Sequence, residues 1–187
     1  MGEIKCFWLE PTGRAKQYLR RYTPDFGACS GPLTYHDVSV EIGTIPDDRK
    51  PIACHKGEFA DDPRWPKECV CGYEFMETDM WQVPYSAIMR RMDTGEEMTW
   101  REAPPGAMRD ATWLHDIKGY ESQDGKVLVV KLPVGEWVID GPASGGGKWT
   151  RTGSPPIITA RPSIGVLKKD GGFAYHAFLT DGILREC

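Results

Sequence analysis

The sequence lacks the apolar runs that direct proteins into or across membranes. Residues 1–8 do not contain the apolar core of a signal peptide, which is about 7 to 15 residues long. No later stretch approaches the roughly 18 consecutive apolar residues of a membrane-spanning helix. We therefore expect a soluble protein that is not secreted by a signal peptide and stays in the compartment where it is made.

The sequence also lacks an excess of positive charge. It has 23 basic and 27 acidic side chains, for a net charge of −4. Such a chain has no overall attraction to nucleic acid or to anionic lipid, so nucleic-acid binding would require a local patch. The candidate patch is a basic, aromatic stretch, which we expect to form a short helix or strand with one charged face. Its basic and aromatic residues are Arg14, Lys16, Tyr18, Arg20, Arg21 and Tyr22.

Two common catalytic motifs are absent. The glycines at 145–147 precede Lys148 without the spacing of a phosphate-binding loop. No nucleophile elbow surrounds Ser144 or Ser163. A metal-dependent or Ser/His hydrolase that uses Asp140, Ser144 and His176 is therefore an alternative only, with Ser163 and Asp181 as further candidates for the nucleophile and the acid. The favoured interpretation is that His176 is a hydrogen-bonded strand residue and that Asp140 caps a turn.

Strand patterns dominate the sequence. Alternation within residues 35–42 predicts a half-buried strand, and the β-branched run at 127–132 predicts a central strand that pairs with residues 135–140. The turn residues at 93–96 predict another hairpin. Further strands are expected at 157–159, 164–167 and 175–179.

With 21 glycines and 15 prolines at the junctions, and 40% hydrophobic residues to fill a core, the sequence predicts a mainly β (β-rich α+β) protein. We expect a compact sandwich or half-barrel that carries a zinc-knuckle-like loop insertion. Three regions are predicted: an N-terminal segment at 1–50, a zinc-binding subdomain at 51–110, and a β-rich subdomain at 111–187.

The zinc prediction comes from a cluster of thiols and imidazole. Cys54, His55, Cys69 and Cys71 lie within eighteen residues, and Gly72 and Tyr73 follow the last thiol. Soft thiolate and imidazole ligands are those that zinc prefers. A zinc knuckle usually has two residues between its cysteines, whereas this chain has one.

The complete ligand set is left open by the sequence. Cys54 and His55 are adjacent, so their side chains diverge, and one ligand is expected from elsewhere. Cys29 and His36 are the further candidates. Four protein ligands would leave no position for water, which favours a structural zinc ion. The alternatives are ordinary buried thiols or a disulfide, and no export signal favours the disulfide.

Several short motifs together resemble a family of proteins that tailed bacteriophages encode. They are Cys54-His55-Lys56, Cys69-Val70-Cys71-Gly72-Tyr73, residues 101–108, residues 137–144 and Tyr175-His176-Ala177-Phe178-Leu179. The resemblance implies a phage origin and brings no activity with it.

We therefore expect a phage accessory protein that binds another protein, as a minor or decorating virion component in the host cytoplasm or the virion. Nucleic acid is not expected as a partner, and neither is a membrane. Oligomers are compatible with the sequence. An early phage protein that binds nucleic acid is a further alternative.

Overall fold

The structure is a computed structural model of the chain, and it describes residues 2–23, 29, 36–48, 56–120, 124–142, 149–168 and 171–187. These residues are mainly β, as the sequence predicts. The strands are β1 (Glu3–Lys5), β2 (Phe7–Tyr22), β3 (Asp37–Pro46), β4 (Met80–Gln82), β5 (Tyr85–Arg91), β6 (Glu97–Thr99), β7 (Ala107–Asp110), β8 (Leu128–Leu132), β9 (Gly135–Val138), β10 (Thr150–Ser154), β11 (Ile157–Leu167), β12 (Phe173–Thr180) and β13 (Ile183–Glu186). Short 3-10 turns occur at Gly57–Phe59 and Thr112–Leu114.

The chain forms two compact units. Unit 1 contains Met1–Glu10 and Met89–Cys187, and unit 2 contains Pro11–Ile88. This division differs from three consecutive segments because β1 pairs antiparallel with β13, with Ile4 opposite Leu184. A pairing between the two ends of the chain leaves no local signal in the sequence.

Unit 1 contains two sheets that share one core. The first has the strand order β1-β13-β12-β11-β10. The second contains β7, β8, β9 and the start of β2, where Phe7 lies parallel to Ala107. Both sheets contribute side chains to the core, which is the packing of a β-sandwich. The buried core residues are Cys6, Met108, Leu128, Val130, Leu132, Ile139, Ile158, Ala160, Ile164, Tyr175, Ala177, Leu179 and Leu184.

The predicted hairpins of unit 1 are confirmed. β8 and β9 pair antiparallel, with Val130 opposite Trp137. At the turn before β6, the Arg91 amide donates to the Glu96 carbonyl. The strands expected at 157–159 and 164–167 are one strand, β11, whose register shifts between Ala160 and Ile164. The shift spans Pro162, which has no N–H to donate to the ladder.

Unit 2 is organised around the part of β2 that begins at Pro11. Here β2 pairs antiparallel with β3, from Arg14 opposite Pro46 to Tyr22 opposite Asp37. It also pairs antiparallel with β4. Among the residues that the structure describes, its apolar core is much smaller than that of unit 1: the buried members are Leu19, Trp65 and Val83, with Ile42, Phe59 and Trp81 packed against them. A core of this size contributes little to stability, so we expect unit 2 to be stabilised by further cross-links.

Candidate metal centre

A short hairpin in unit 2 presents two cysteines on one turn. We call residues 67–75 the metal hairpin. The Cys69 amide donates to the Tyr73 carbonyl at 2.8 Å, and the Gly72 amide donates to the Cys69 carbonyl at 2.9 Å. Gly72 has φ of +88°, a conformation that residues with a Cβ rarely adopt. The turn therefore fixes Cys69 and Cys71 on one loop.

The histidine of the site lies at the edge of the β2–β3 ladder. The Thr23 amide donates to the His36 carbonyl at 3.0 Å, and the His36 amide donates to the Thr23 hydroxyl at 3.3 Å. The first bond extends the antiparallel pairing of β2 and β3 by one residue pair before the start of β3, and the second is made by the Thr23 side chain. His36 is buried, at 4% exposure, so its imidazole is held within unit 2.

Three sulfurs and one imidazole nitrogen converge between these elements. The ligand atoms of Cys29, His36, Cys69 and Cys71 all lie within 4.8 Å of one another. The Sγ atoms of Cys29 and Cys69 are 4.0 Å apart, and the distance from Cys71 Sγ to His36 Nδ1 is 3.3 Å. This is the donor set of a Cys₃His metal site.

The spacing of the donors fits a tetrahedral ion. With zinc bonds of about 2.3 Å to sulfur and about 2.0 Å to nitrogen, tetrahedral angles put two sulfurs about 3.8 Å apart and a sulfur and a nitrogen about 3.5 Å apart. The distances between Cys29 and Cys69 and between Cys71 and His36 each differ from these values by about 0.2 Å. The other four donor–donor distances are no longer than 4.8 Å.

Hydrogen bonds at the site favour the metal-binding form of a thiol. The backbone N–H of Tyr73 lowers the pKa of Cys71, and the neighbouring thiols of Cys29 and Cys69 lower it further. Donors that point at sulfur stabilise the thiolate, which is the form that binds metal.

A ring and a carboxylate support the histidine. The Tyr73 ring stacks on the His36 ring, with centroids 4.0 Å apart. The Tyr73 hydroxyl lies 3.3 Å from Asp79 Oδ2, which also accepts from the Met76 amide at 2.7 Å. The chain after the hairpin is thus tied to the ring that contacts the imidazole.

A buried arginine holds the ends of the metal hairpin. The Arg21 guanidinium donates to the carbonyl of Pro66, at 3.5 Å, before the hairpin, and to those of Phe75, at 3.3 Å, and Met76 at its other end. It also lies 3.7 Å from the Trp81 ring centroid. Arg21 is only 4% exposed, and burial lowers its pKa. The expectation that Arg21 lines a basic surface is therefore wrong, because its side chain points to the core side of β2.

On the other face of β2 the cations have acidic partners. Arg20 makes a two-bond ion pair with Asp37, at 2.8 and 2.7 Å. Lys16 lies 3.4 Å from a Glu41 carboxylate oxygen. These β3 carboxylates reduce the positive field that a phosphate backbone would require.

The structure brings together some of the sequence-derived ligands and leaves others undescribed. Cys69 and Cys71 meet Cys29 and His36, the two further candidates, and this group could hold a metal ion. Cys54 and His55 lie outside the described residues. Proximity in the sequence favours Cys54 and His55 over Cys29 and His36, because the ladder pairing that positions His36 opposite Thr23 has no local sequence signal.

The structure brings together one serine and the histidine of the hydrolase alternative but gives Asp140 other partners. His176 Nε2 lies 2.9 Å from the hydroxyl oxygen of Ser163, which is one of the two candidate serines. Asp140 accepts from the Leu128 amide at 2.8 Å and from Arg151 Nε at 2.7 Å. Ser144 lies outside the described residues. Asp140 thus has a structural role that occupies both its carboxylate oxygens.

Among the described residues, no helix has the length and apolar character needed to cross a membrane.

Comparison of the chain with family models, with curated proteins and with solved structures found no match.

Proposed function

We propose that the protein is a zinc-stabilised binding module in which one structural zinc ion is held by Cys29, His36, Cys69 and Cys71. The observation that carries the proposal is the convergence of these four ligand atoms within 4.8 Å. Three thiolates and an imidazole favour zinc over magnesium or calcium, which take oxygen ligands.

The donor count supports a structural role. Four protein ligands complete a tetrahedral shell, so a zinc ion there has no open position for a reacting water. His36 and Cys69 are buried, and Cys29 and Cys71 are half-buried. Such an ion cross-links the chain between β2 and β3 to the metal hairpin and supplies stability that the small apolar core of unit 2 lacks.

The biological role that we propose is binding of another protein. The motif resemblance supports the role of a phage accessory protein that is a minor or decorating virion component.

The ion pairs of Lys16 and Arg20 argue against the nucleic-acid alternative. Asp140 accepts hydrogen bonds from the Leu128 amide and from Arg151, which argues against the hydrolase alternative. Mass spectrometry of purified particles of the encoding phage tests the virion role, and absence of the chain from them contradicts it.

The zinc proposal is tested by metal analysis of the purified protein and of matched variants. Wild type is expected to contain about one zinc per chain. Cys29→Ser and His36→Asn should lose it. Cys54→Ser and His55→Asn should retain it, because their wild-type residues are not among the four ligands. Cys187→Ser controls for loss of an exposed thiol.

Each result has a distinct meaning. A wild-type protein without metal contradicts the proposal. If Cys54→Ser lost zinc and Cys29→Ser retained it, the ligand would be Cys54 and not Cys29. That result would contradict the proposed ligand set. Loss of zinc in both cysteine variants, with Cys187→Ser unaffected, would contradict the exclusion of Cys54 from the site.

A further inference from the structure

We infer that the same cluster is a redox switch, in which a peroxide joins Cys29 and Cys69 in a disulfide and thereby releases the zinc ion. This inference rests on the proposed zinc site and adds its regulation. The Sγ atoms of the two cysteines are 4.0 Å apart. A disulfide needs about 2.05 Å, so the sulfurs must approach by about 2 Å.

The fold favours a disulfide between Cys29 and the metal hairpin over one within the hairpin. Cys69 and Cys71 belong to one tight turn, with a single residue between them. Cys29 comes from a different segment, 40 positions before Cys69. A bond between them closes a long loop, and long loops are those in which a cross-link most restricts the unfolded chain. The Cys71 sulfur, which the thiols of Cys29 and Cys69 also contact, lies 3.3 Å from His36 Nδ1.

The reaction balances with hydrogen peroxide as the oxidant. One thiolate sulfur of the pair attacks peroxide, the O–O bond breaks, and a sulfenic acid and a hydroxide ion form; the hydroxide takes a proton from solvent and becomes water. The second sulfur then attacks the oxidised sulfur, the S–S bond forms, and the hydroxyl group leaves as a second water after protonation. Two electrons pass from the two sulfurs to peroxide, and the zinc ion changes neither its charge nor its electron count.

The disulfide removes two of the four zinc ligands. Only Cys71 and His36 remain, and two protein ligands do not complete a structural zinc site. The covalent bond then ties Cys29 to the metal hairpin in place of the ion. The switch therefore exchanges a metal cross-link for a disulfide between the same two segments.

Two cysteines in unit 1 serve as internal comparisons. Cys6 is 3% exposed, and burial raises its pKa to about 12, so its thiol is protected from oxidants. Cys187 is exposed. Its replacement by serine removes the thiol most open to cross-linking between molecules.

The test uses the full chain carrying Cys187→Ser, first analysed for zinc and then treated with hydrogen peroxide. We expect release of about one equivalent of zinc, measured with a chromogenic chelator, and a Cys29–Cys69 linked peptide by mass spectrometry. Thiol reductant with added zinc should restore the metal. Cys69→Ser should abolish the linked peptide, whereas Cys54→Ser should leave both readouts unchanged.

The outcomes separate this inference from the proposed function. A reduced protein without zinc contradicts the proposed function before peroxide is added, and the cross-link is then judged by mass alone. Zinc that stays bound in peroxide overturns the switch. So does zinc release that accompanies only sulfinic or sulfonic acids, or a disulfide between any other pair.

Discussion

The imidazole of His36 lies flat against the phenol ring of Tyr73, with ring centroids 4.0 Å apart and planes that differ by 9°. The two residues come from different segments, His36 from the edge of the β2–β3 ladder and Tyr73 from the metal hairpin. The stack therefore orients the imidazole from the side of the hairpin that also supplies two thiols. Groups that orient a ligand without touching the metal commonly affect affinity strongly.

Removal of the Tyr73 ring should weaken metal binding more than removal of its hydroxyl. Tyr73→Leu loses the stack, and we expect zinc affinity to fall about 10- to 100-fold in competition with a chelator of known affinity. Tyr73→Phe keeps the ring and loses the contact with Asp79. It should retain affinity within a few-fold while the free energy of unfolding falls by about 1 kcal/mol. Equal affinities for the two variants would contradict an orienting role for the ring.

Two adjacent arginines on β2 should differ sharply in their effect on stability. Arg21 is buried against the carbonyls of Phe75 and Met76. Arg21→Met removes the donor to the Phe75 carbonyl and leaves the Met76 carbonyl with the Asp79 amide alone, so we expect the free energy of unfolding to fall by about 2–4 kcal/mol.

The matched control is Arg20→Met. Its wild-type side chain is 27% exposed and pairs with Asp37 at the surface, an interaction usually worth about 1 kcal/mol or less. Urea unfolding followed by tryptophan fluorescence measures both variants. Similar losses for Arg20→Met and Arg21→Met would show that Arg21 does not hold the hairpin ends.

Local patterns in the sequence predicted the strands well. The β-branched run at 127–132 and the turn before Gly135 were sufficient for the β8–β9 hairpin, because both signals are contained within a dozen residues. Pairing of β1 with β13 could not be predicted, since it joins residues about 180 positions apart.

For the candidate metal site, the residue types predict metal binding, but the sequence does not identify which distant residues complete the ligand set. Thiols at 69 and 71 predicted a metal hairpin, but the selection of His36 depends on the ladder that ends at Thr23. Arg21 does not belong to the basic surface patch, and the sequence contains a pattern that shows this. Arg21 lies two residues after the buried Leu19, and the alternation of side chains along a strand puts both on the buried face.

Two glycines with similar backbone conformations should respond differently to alanine. Gly106 has φ of +95°, and a Cβ there would lie 2.7 Å from the Lys5 carbonyl oxygen. Gly95 has φ of +77°, with nothing within 4 Å of its Cβ position. Both changes strain the backbone at a cost of about 1 kcal/mol or more.

Only Gly106→Ala adds a clash with backbone, so its free energy of unfolding should fall by about 2 kcal/mol more than that of Gly95→Ala. Thermal and urea unfolding of the two variants provide the comparison. If Gly95→Ala were the more destabilised of the two, the close approach of Gly106 to the chain before β2 would be contradicted.

Asp140 and Asp181 test whether the carboxylates of the C-terminal region are structural. The Asp140 side chain is 7% exposed, and its oxygens accept from the Leu128 amide and from Arg151, itself 9% exposed. An amide can accept only on its oxygen, so either Arg151 Nε or the buried Leu128 amide loses its acceptor, while Arg151 keeps its ion pair with Asp124. We therefore expect Asp140→Asn to reduce the free energy of unfolding by about 2–4 kcal/mol.

Asp181→Asn is the control, because this aspartate sits at an exposed turn with φ of 49°, a conformation that asparagine also adopts readily. Its oxygen can still accept from the Thr159 hydroxyl, which lies at 3.2 Å, so the change should cost about 0.5 kcal/mol or less. Urea unfolding of both variants measures the difference. An Asp140→Asn protein as stable as wild type would remove the structural explanation for this carboxylate, and the chemical alternative that pairs it with His176 would then regain support.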